Sequence, residues 1–243
     1  MWLYYITDRK QLGGTPAEQR RRLLDKIAQA ARCGVEFIQL REKDLSSREL
    51  ENLAREALAI VRENSFSAPH SPADKTLASG LSTRLLINSR VDVAIAVGTH
   101  GVHLPSHDLS PTETRAVWDK SASLARHPPY RPLVGVSCHS VEDVRLAHAQ
   151  GTDFAVFAPV FEKMSVGSST KRPGAGLTAL RAACHIAAPP TSPARKFPVL
   201  ALGGITAENA PTCVQAGAIG VAGIRLFQQN DVKSVVDRLK TLE

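Results

Sequence analysis

Aromatic residues are scarce in this chain, at 5%, with three Tyr and two Trp among 243 residues. The basic residues do not form one long run either. Nucleic-acid recognition through stacked bases or a polybasic stripe therefore has little support. Only four cysteines occur, Cys33, Cys138, Cys184 and Cys213, far apart and with no C-x-x-C pair. That spacing argues against a structural zinc site and for reduced thiols in a cytoplasmic protein. No apolar run reaches the roughly 18 residues of a membrane helix, so no membrane span is expected. The N-terminal MWLYYITDRK lacks the basic-then-apolar order of a signal peptide and reads as a strand.

What is present is an ordinary globular composition, 43% hydrophobic and 22% charged. The length matches one (β/α)8 barrel over residues 1–243, and would also allow two small domains. The net charge of +7 serves solubility first, and it also favours anionic substrates.

Short apolar, β-branched runs recur at 2–6, 35–40, 84–88, 101–104, 133–137, 154–158, 198–202 and 220–222. Segments with helical periodicity alternate with them, at 16–32, 47–63, 111–125, 141–149, 177–187, 207–216 and 231–242. Alternation of this kind implies parallel strands joined by helical crossovers. Eight such units fit a closed TIM barrel better than an open doubly wound sheet. The open sheet usually carries a Gly-rich turn after its first strand, whereas here Thr7-Asp8-Arg9-Lys10 follows. Three polar inserts, 65–83, 120–131 and 188–196, read as surface loops, because the pattern resumes in phase after each.

In a TIM barrel the chemistry sits at the C-terminal strand ends. The second strand ends in Gln39-Leu40-Arg41-Glu42-Lys43. Alternation puts Gln39, Arg41 and Lys43 on one face, a set suited to gripping a diphosphate. A solvated loop pairing with Glu42 and Asp44 is the bland alternative. The seventh strand runs into Gly203-Gly204, with a helix expected from about Thr206, and the eighth carries Gly220–Gly223. Exposed amides at those turns suit phosphate, although glycines also merely permit tight turns. Asn88, ending the third strand, suits a heterocycle nitrogen, and Asp92 a helix start. Asp108, beyond the fourth strand, suits Mg2+ if substrate phosphates complete the ligand set, or is a plain solvated acid. His103 reads as an interior histidine. Ser137 suits a phosphate oxygen, and His139 suits a general acid or base, or packs beside a capping Ser140. Cys138 lacks an assignable base and is not expected to be a nucleophile. The loop after Pro159-Val160-Phe161 reaches Ser168-Ser169-Thr170-Lys171 and reads as a polar segment able to close over a ligand, or as plain surface.

In chain order these segments resemble the thiamin phosphate synthase / TenI superfamily over nearly the whole length. Gln-Leu-Arg-Glu-Lys is the most specific element, supported by Val-Ser-x-His, Pro-Val-Phe with its Thr-Lys loop, and Leu-Gly-Gly-Ile. The resemblance implies joining of a hydroxymethylpyrimidine diphosphate to a thiazole phosphate with release of pyrophosphate. It assigns Gln39, Arg41, Lys43, Asn88, Ser137 and Lys171 to the pyrimidine diphosphate. It assigns Gly203, Gly204 and Gly223 to the thiazole phosphate, and Ser168 and Thr170 to the hydroxyls of the Thr-x-Thr-Lys loop. Mg2+ is the implied cofactor. Two departures bear on it. The family's Asn-Asp after the third strand is Asn88-Ser89 here, and its Gly-Gln-x-Asp is Pro105-Ser106-His107-Asp108. Such losses look more like the TenI branch, which aromatises a thiazole phosphate carboxylate, with His139 aligned to its histidine. The long loop before Thr170 and the residue Arg225 match neither branch closely. A non-catalytic barrel binding thiamin intermediates is the third reading, and assembly into a homo-oligomer stays open.

Overall fold

The computed structural model describes residues 1–65, 83–124, 131–164, 171–186 and 197–241. Its strands are β1 (Trp2–Ile6), β2 (Phe37–Leu40), β3 (Arg84–Asn88), β4 (Gly101–Leu104), β5 (Leu133–Cys138), β6 (Phe154–Phe157), β7 (Lys163–Met164), β8 (Lys171–Arg172), β9 (Val199–Ala201) and β10 (Gly220–Gly223). All but β7 and β8 pair in parallel and close into a barrel of order β1-β10-β9-β6-β5-β4-β3-β2. The closed barrel is thus the observed form, and the open sheet is ruled out. The β7–β8 pair is a small antiparallel hairpin between the sixth and seventh barrel strands, which the sequence pattern does not announce.

The helices are α1 (Pro16–Arg32), α2 (Ser47–Asn64), α3 (Val91–Val97), α4 (Pro111–Leu124), α5 (Val141–Ala149), α6 (Gly176–Cys184), α7 (Ala210–Gln215), α8 (Arg225–Gln228) and α9 (Val232–Lys240). A 3-10 turn at Arg9–Leu12 follows β1. Helix starts follow local chemistry. Thr15, Ser46 and Ser140 each accept from the amide three residues on, and Glu18, Glu49 and Asp143 return the bond. Such caps are worth about 1 kcal/mol each. The proposed helix from Thr206 starts later. Thr206 and Asn209 form a side-chain-bonded turn, with Asn209 Oδ1 accepting from the Thr206 amide at 2.8 Å, and α7 begins at Ala210. Of the three inserts, 66–82, 125–130 and 187–196 lie outside the described residues, while Lys120–Leu124 belong to α4. Among the described residues no helix is long and apolar enough to cross a membrane.

Strands buried on both faces divide the core in two. Outward residues such as Leu3, Ile38, Leu85, Val102 and Phe157 pack under the helices. Inward ones, Tyr4, Ile6, Phe37, Leu86, Phe154, Val156, Leu200 and Ala222, fill the barrel. The rings of Tyr4, Phe37 and Phe154 meet with centroids 5.3–5.8 Å apart and plug its middle. Gly135 makes room for them: a Cβ there would stand 2.4 Å from the Phe154 ring and 3.0 Å from His103 Nδ1.

His103 is fully buried beside those rings. Burial, then the nearby Arg41 charge, drives its pKa down to about 3. The folded protein keeps it neutral, while the unfolded chain protonates near pH 6.5. The unfolded state therefore binds the proton first, and stability is complete above about pH 6.5 and falls as the pH drops toward 3. At pH 5 the loss is roughly 2 kcal/mol. Urea melts at pH 7.5 and 5 should show it, and His103→Gln should lose less between the two pH values. Equal losses would contradict the assignment.

Candidate active site

Above the aromatic plug the interior turns polar. Gln39 Nε2 donates to Asn88 Oδ1 at 3.0 Å, tying the ends of β2 and β3 together. His103 Nε2 and Ser137 Oγ stand 2.9 Å apart, joining β4 to β5. The Arg41 charge is near enough to His103 to add to the lowering of its pKa. Strand geometry ends at Leu40, and Lys43 sits on the turn that follows, exposed. Its facing is set by that turn rather than by strand alternation, which corrects the sequence-based expectation for Lys43. The neighbouring acids do not occupy these cations: among the described residues no carboxylate forms an ion pair with Arg41 or Lys43. Glu42 and Asp44 turn instead to Arg9.

At the next strand ends, Ser89 occupies the left-handed region at φ 66°. Its amide donates to the His103 carbonyl at 2.9 Å, and its hydroxyl donates to the Asp108 carboxylate. The other Asp108 oxygen accepts from the Leu109 amide at 2.8 Å. The strand-three and strand-four ends thus meet through a serine–aspartate pair. Among the described residues no group of three or more His, Cys, Asp or Glu side chains is arranged to hold a metal. Asp92 begins α3, paired with Arg90 on the outside.

At β5, Ser140 caps α5, and the His139 Nδ1 lies 2.6 Å from the Ala158 carbonyl. A carbonyl accepts only, so Nδ1 carries a hydrogen. Both readings of this segment therefore coexist, a capping serine and an exposed imidazole whose Nε2 has no partner among the described residues. The Cys138 thiol is buried and pushed up to about 12 by burial, with Asp143 adding to it, as befits an inert side chain.

After β9, Gly203 and Gly204 take φ values of 99° and 64°. A Cβ on Gly203 would lie 2.7 Å from Pro159 Cα, and one on Gly204 2.8 Å from Phe161 Cβ. The glycines let the segment after β6 lie against them, where the Val160 and Phe161 amides donate to the Leu202 and Gly203 carbonyls at 2.8 and 3.0 Å. The Gly203 and Gly204 amides donate to no described residue. Register pairs Val221 with Ala201, so Gly223 continues level with Gly203. The same segment after β6 receives the Ala175 and Gly176 amides on its other side, at 2.8 and 2.9 Å. The base of the hairpin that carries Lys171 is thereby fixed to the phosphate-type turn. Ser168 and Thr170 lie outside the described residues, as does the Lys171 side chain.

Sequence reasoning passed over Thr7 and Arg9. Their signal was available: a hydroxyl and a cation directly after the first barrel strand, which must neighbour the end of the second. A groove of about 490 Å3 between α5 and α6, lined by Val141, Arg145, His148, His185 and Ile186 among others, lies on the helical side of the barrel.

Known proteins are similar to this chain in sequence and fold. A family model described as thiamine monophosphate synthase matches residues 3–69 and 73–227. The thiamine-phosphate synthase of Methanoculleus marisnigri is 33% identical over 239 residues, 98% of this chain and 93% of that protein. That of Syntrophomonas wolfei is 30% identical over 241 residues, 99% of this chain and 95% of that protein. A solved thiamine phosphate pyrophosphorylase from Pyrococcus furiosus superposes with a TM-score of 0.71 at 24% identity, covering 99% of this chain and 94% of that one, and shares the fold. Through its strand-end residues and its match along nearly the whole length, the chain belongs to the thiamine monophosphate synthase family.

Proposed function

We propose that this protein condenses a hydroxymethylpyrimidine diphosphate with a thiazole phosphate, giving thiamin phosphate and pyrophosphate, at the mouth of the barrel. The observation that carries the reading is the bonded Gln39–Asn88 amide pair at the end of β2 and β3, followed in the β2 loop by two cations that no carboxylate neutralises among the described residues. The amides offer one donor and one acceptor for a heterocycle, and Arg41 and Lys43 offer charge for a diphosphate. Across the mouth, the amides of Gly203 and Gly204, with Gly223 beside them, suit a monophosphate.

The reaction breaks the bond between the pyrimidine methylene carbon and the diphosphate oxygen. The electron pair leaves with pyrophosphate, and the thiazole nitrogen lone pair forms the new C–N bond. No proton transfer and no protein nucleophile are required. Arg41 and Lys43, joined by Lys171 on the hairpin, stabilise the charge that grows on the leaving group. Ser137, oriented by His103, donates to a phosphate oxygen, and Ser168 and Thr170 do the same from the loop. Family membership implies Mg2+. One carboxylate and one hydroxyl do not make an all-protein site, but with substrate phosphate oxygens they fit an ion that arrives with the diphosphate. Asp108 would hold it with Ser89 alongside, and the bound ion would neutralise phosphate charge. We place the activity in the cytoplasm, in keeping with four free thiols.

A second reading, aromatisation of a thiazole phosphate carboxylate, rests on Ser89 and on the free His139 Nε2. Mass spectrometry of a mixture with Mg2+ and both substrates separates the two. Thiamin phosphate is the expected product, whereas its absence together with tautomer conversion abolished in His139→Ala would favour the second.

Two variants test the residues. Arg41→Ala should raise KM for the pyrimidine diphosphate about 10- to 100-fold and leave that for the thiazole phosphate unchanged. An unchanged KM for both would remove Arg41 from the site. Ser89→Asp, tolerated at a left-handed position, should bind Mn2+ in the absence of substrate more tightly than the native protein by titration. Equal binding would show that this strand end does not face the ion.

A further inference from the structure

Acids and bases alternate along the loop after β2: Arg41, Glu42, Lys43, Asp44. In such a sequence each cation has a carboxylate next to it, and pairing within the loop would neutralise the charge that a diphosphate needs. The structure prevents this from the end of the neighbouring strand, β1. The Thr7 hydroxyl donates to Glu42 at 2.6 Å and accepts from the Arg41 amide at 2.9 Å. The Arg9 amide donates to both Glu42 oxygens, at 3.2 and 3.1 Å, and its guanidinium adds a third bond at 3.0 Å. The same guanidinium grips Asp44 with two nitrogens, at 2.7 and 2.8 Å, and Lys10 approaches Asp44 to 3.1 Å. The side chains of Glu42 and Arg9 are 1% and 11% exposed, so this is a shielded arrangement rather than a surface pair.

We infer that Arg9 is a positioning residue that withdraws Glu42 and Asp44 from Arg41 and Lys43 and so keeps two cations free for a diphosphate. The inference rests on the reading that Arg41 and Lys43 bind the pyrimidine diphosphate. Two cations, Arg9 and Lys10, match two carboxylates, Glu42 and Asp44, and the pair beside them is left with its full charge of two. The Arg41 backbone is fixed by Thr7 in the same stroke, because the hydroxyl that donates to Glu42 is the one that accepts from the Arg41 amide. Arg suits the task and Lys does not, since only a planar fork reaches two carboxylates at once. Removal of the guanidinium leaves Asp44 with Lys10 alone and takes one of the four bonds that Arg9 and Thr7 make to Glu42, so that Asp44 in particular can turn to the cation adjacent to it in the loop.

Inorganic pyrophosphate, titrated calorimetrically against the folded full chain, reads this without turnover. Arg9→Ala should weaken pyrophosphate binding about tenfold, with thiazole phosphate binding unaltered. The triple variant Arg9→Ala, Glu42→Gln, Asp44→Asn should recover most of that loss, because the carboxylates that compete for the cations are gone. A merely structural role predicts no such recovery, and failure to recover would overturn the inference. Should Arg9→Ala not fold, Arg9→Lys takes its place. It is expected to weaken binding severalfold, with recovery on adding Asp44→Asn, and native affinity in Arg9→Lys alone would overturn the inference. Arg41→Ala separates the two readings. If it leaves pyrophosphate binding untouched, the diphosphate site itself is misplaced. If it weakens binding while the Arg9 variants do not, the site stands and the role of Arg9 falls.

Discussion

An eight-stranded barrel is only wide enough to be filled by its own side chains, and that constraint governs everything above it. Here Tyr4, Phe37 and Phe154 close the middle of the tube. A ligand cannot enter and must lie on the rim. Whatever binds is therefore read by the last inward residue of each strand and by the loop that follows. Gln39, Asn88, His103 and Ser137 form the floor of that rim, and their mutual hydrogen bonds hold it flat and polar. Parallel pairing of β1 with β2 makes their ends neighbours, which is how Thr7 and Arg9 come to handle residues some 33–35 positions away in sequence.

Charge is sorted by hydrogen bonding rather than by composition. Asp44 is held well below the usual carboxylate range by Arg9, while burial pushes Glu42 up against the opposing pull of Thr7 and Arg9. The two shifts run in opposite directions at one guanidinium because Glu42 is enclosed and Asp44 is not. On the far side of the mouth, the backbone does comparable work without charge. Gly203 and Gly204 admit the segment after β6, and their own amides donate to no described residue. Between these halves, Ser89 and Asp108 meet as a hydrogen-bonded pair.

The barrel was legible because parallel strands buried on both faces read as short apolar runs, and eight of them recur in phase. Boundaries slipped by one or two residues where pairing, rather than sequence, ends a strand, as at Val35 and Pro198. Val91–Val97 escaped because its alternating valines mimic a strand, while Arg225–Gln228 is too short for periodicity. The start at Ala210 instead of Thr206 depends on a side-chain turn that competes with the helix. The positions of Gln39, Asn88, Asp108 and Gly203 at or just beyond strand ends were legible because those ends are fixed by the fold class. The service of Arg9 was passed over, although β1 and β2 are consecutive strands, because which side chain grips which carboxylate is set by the turns after the two strands rather than by their pairing. Nor does sequence reveal that Ser89 would reach Asp108, which needs the left-handed turn at Ser89.

A crystal structure with pyrophosphate and thiamin phosphate tests the central claim most directly. The account predicts a diphosphate held by Arg41 and Lys43, and a monophosphate on the amides of Gly203 and Gly204 beside Gly223, with the heterocycle over Gln39 and Asn88. Anions found instead in the groove between α5 and α6, with the rim of the barrel untouched, would contradict it.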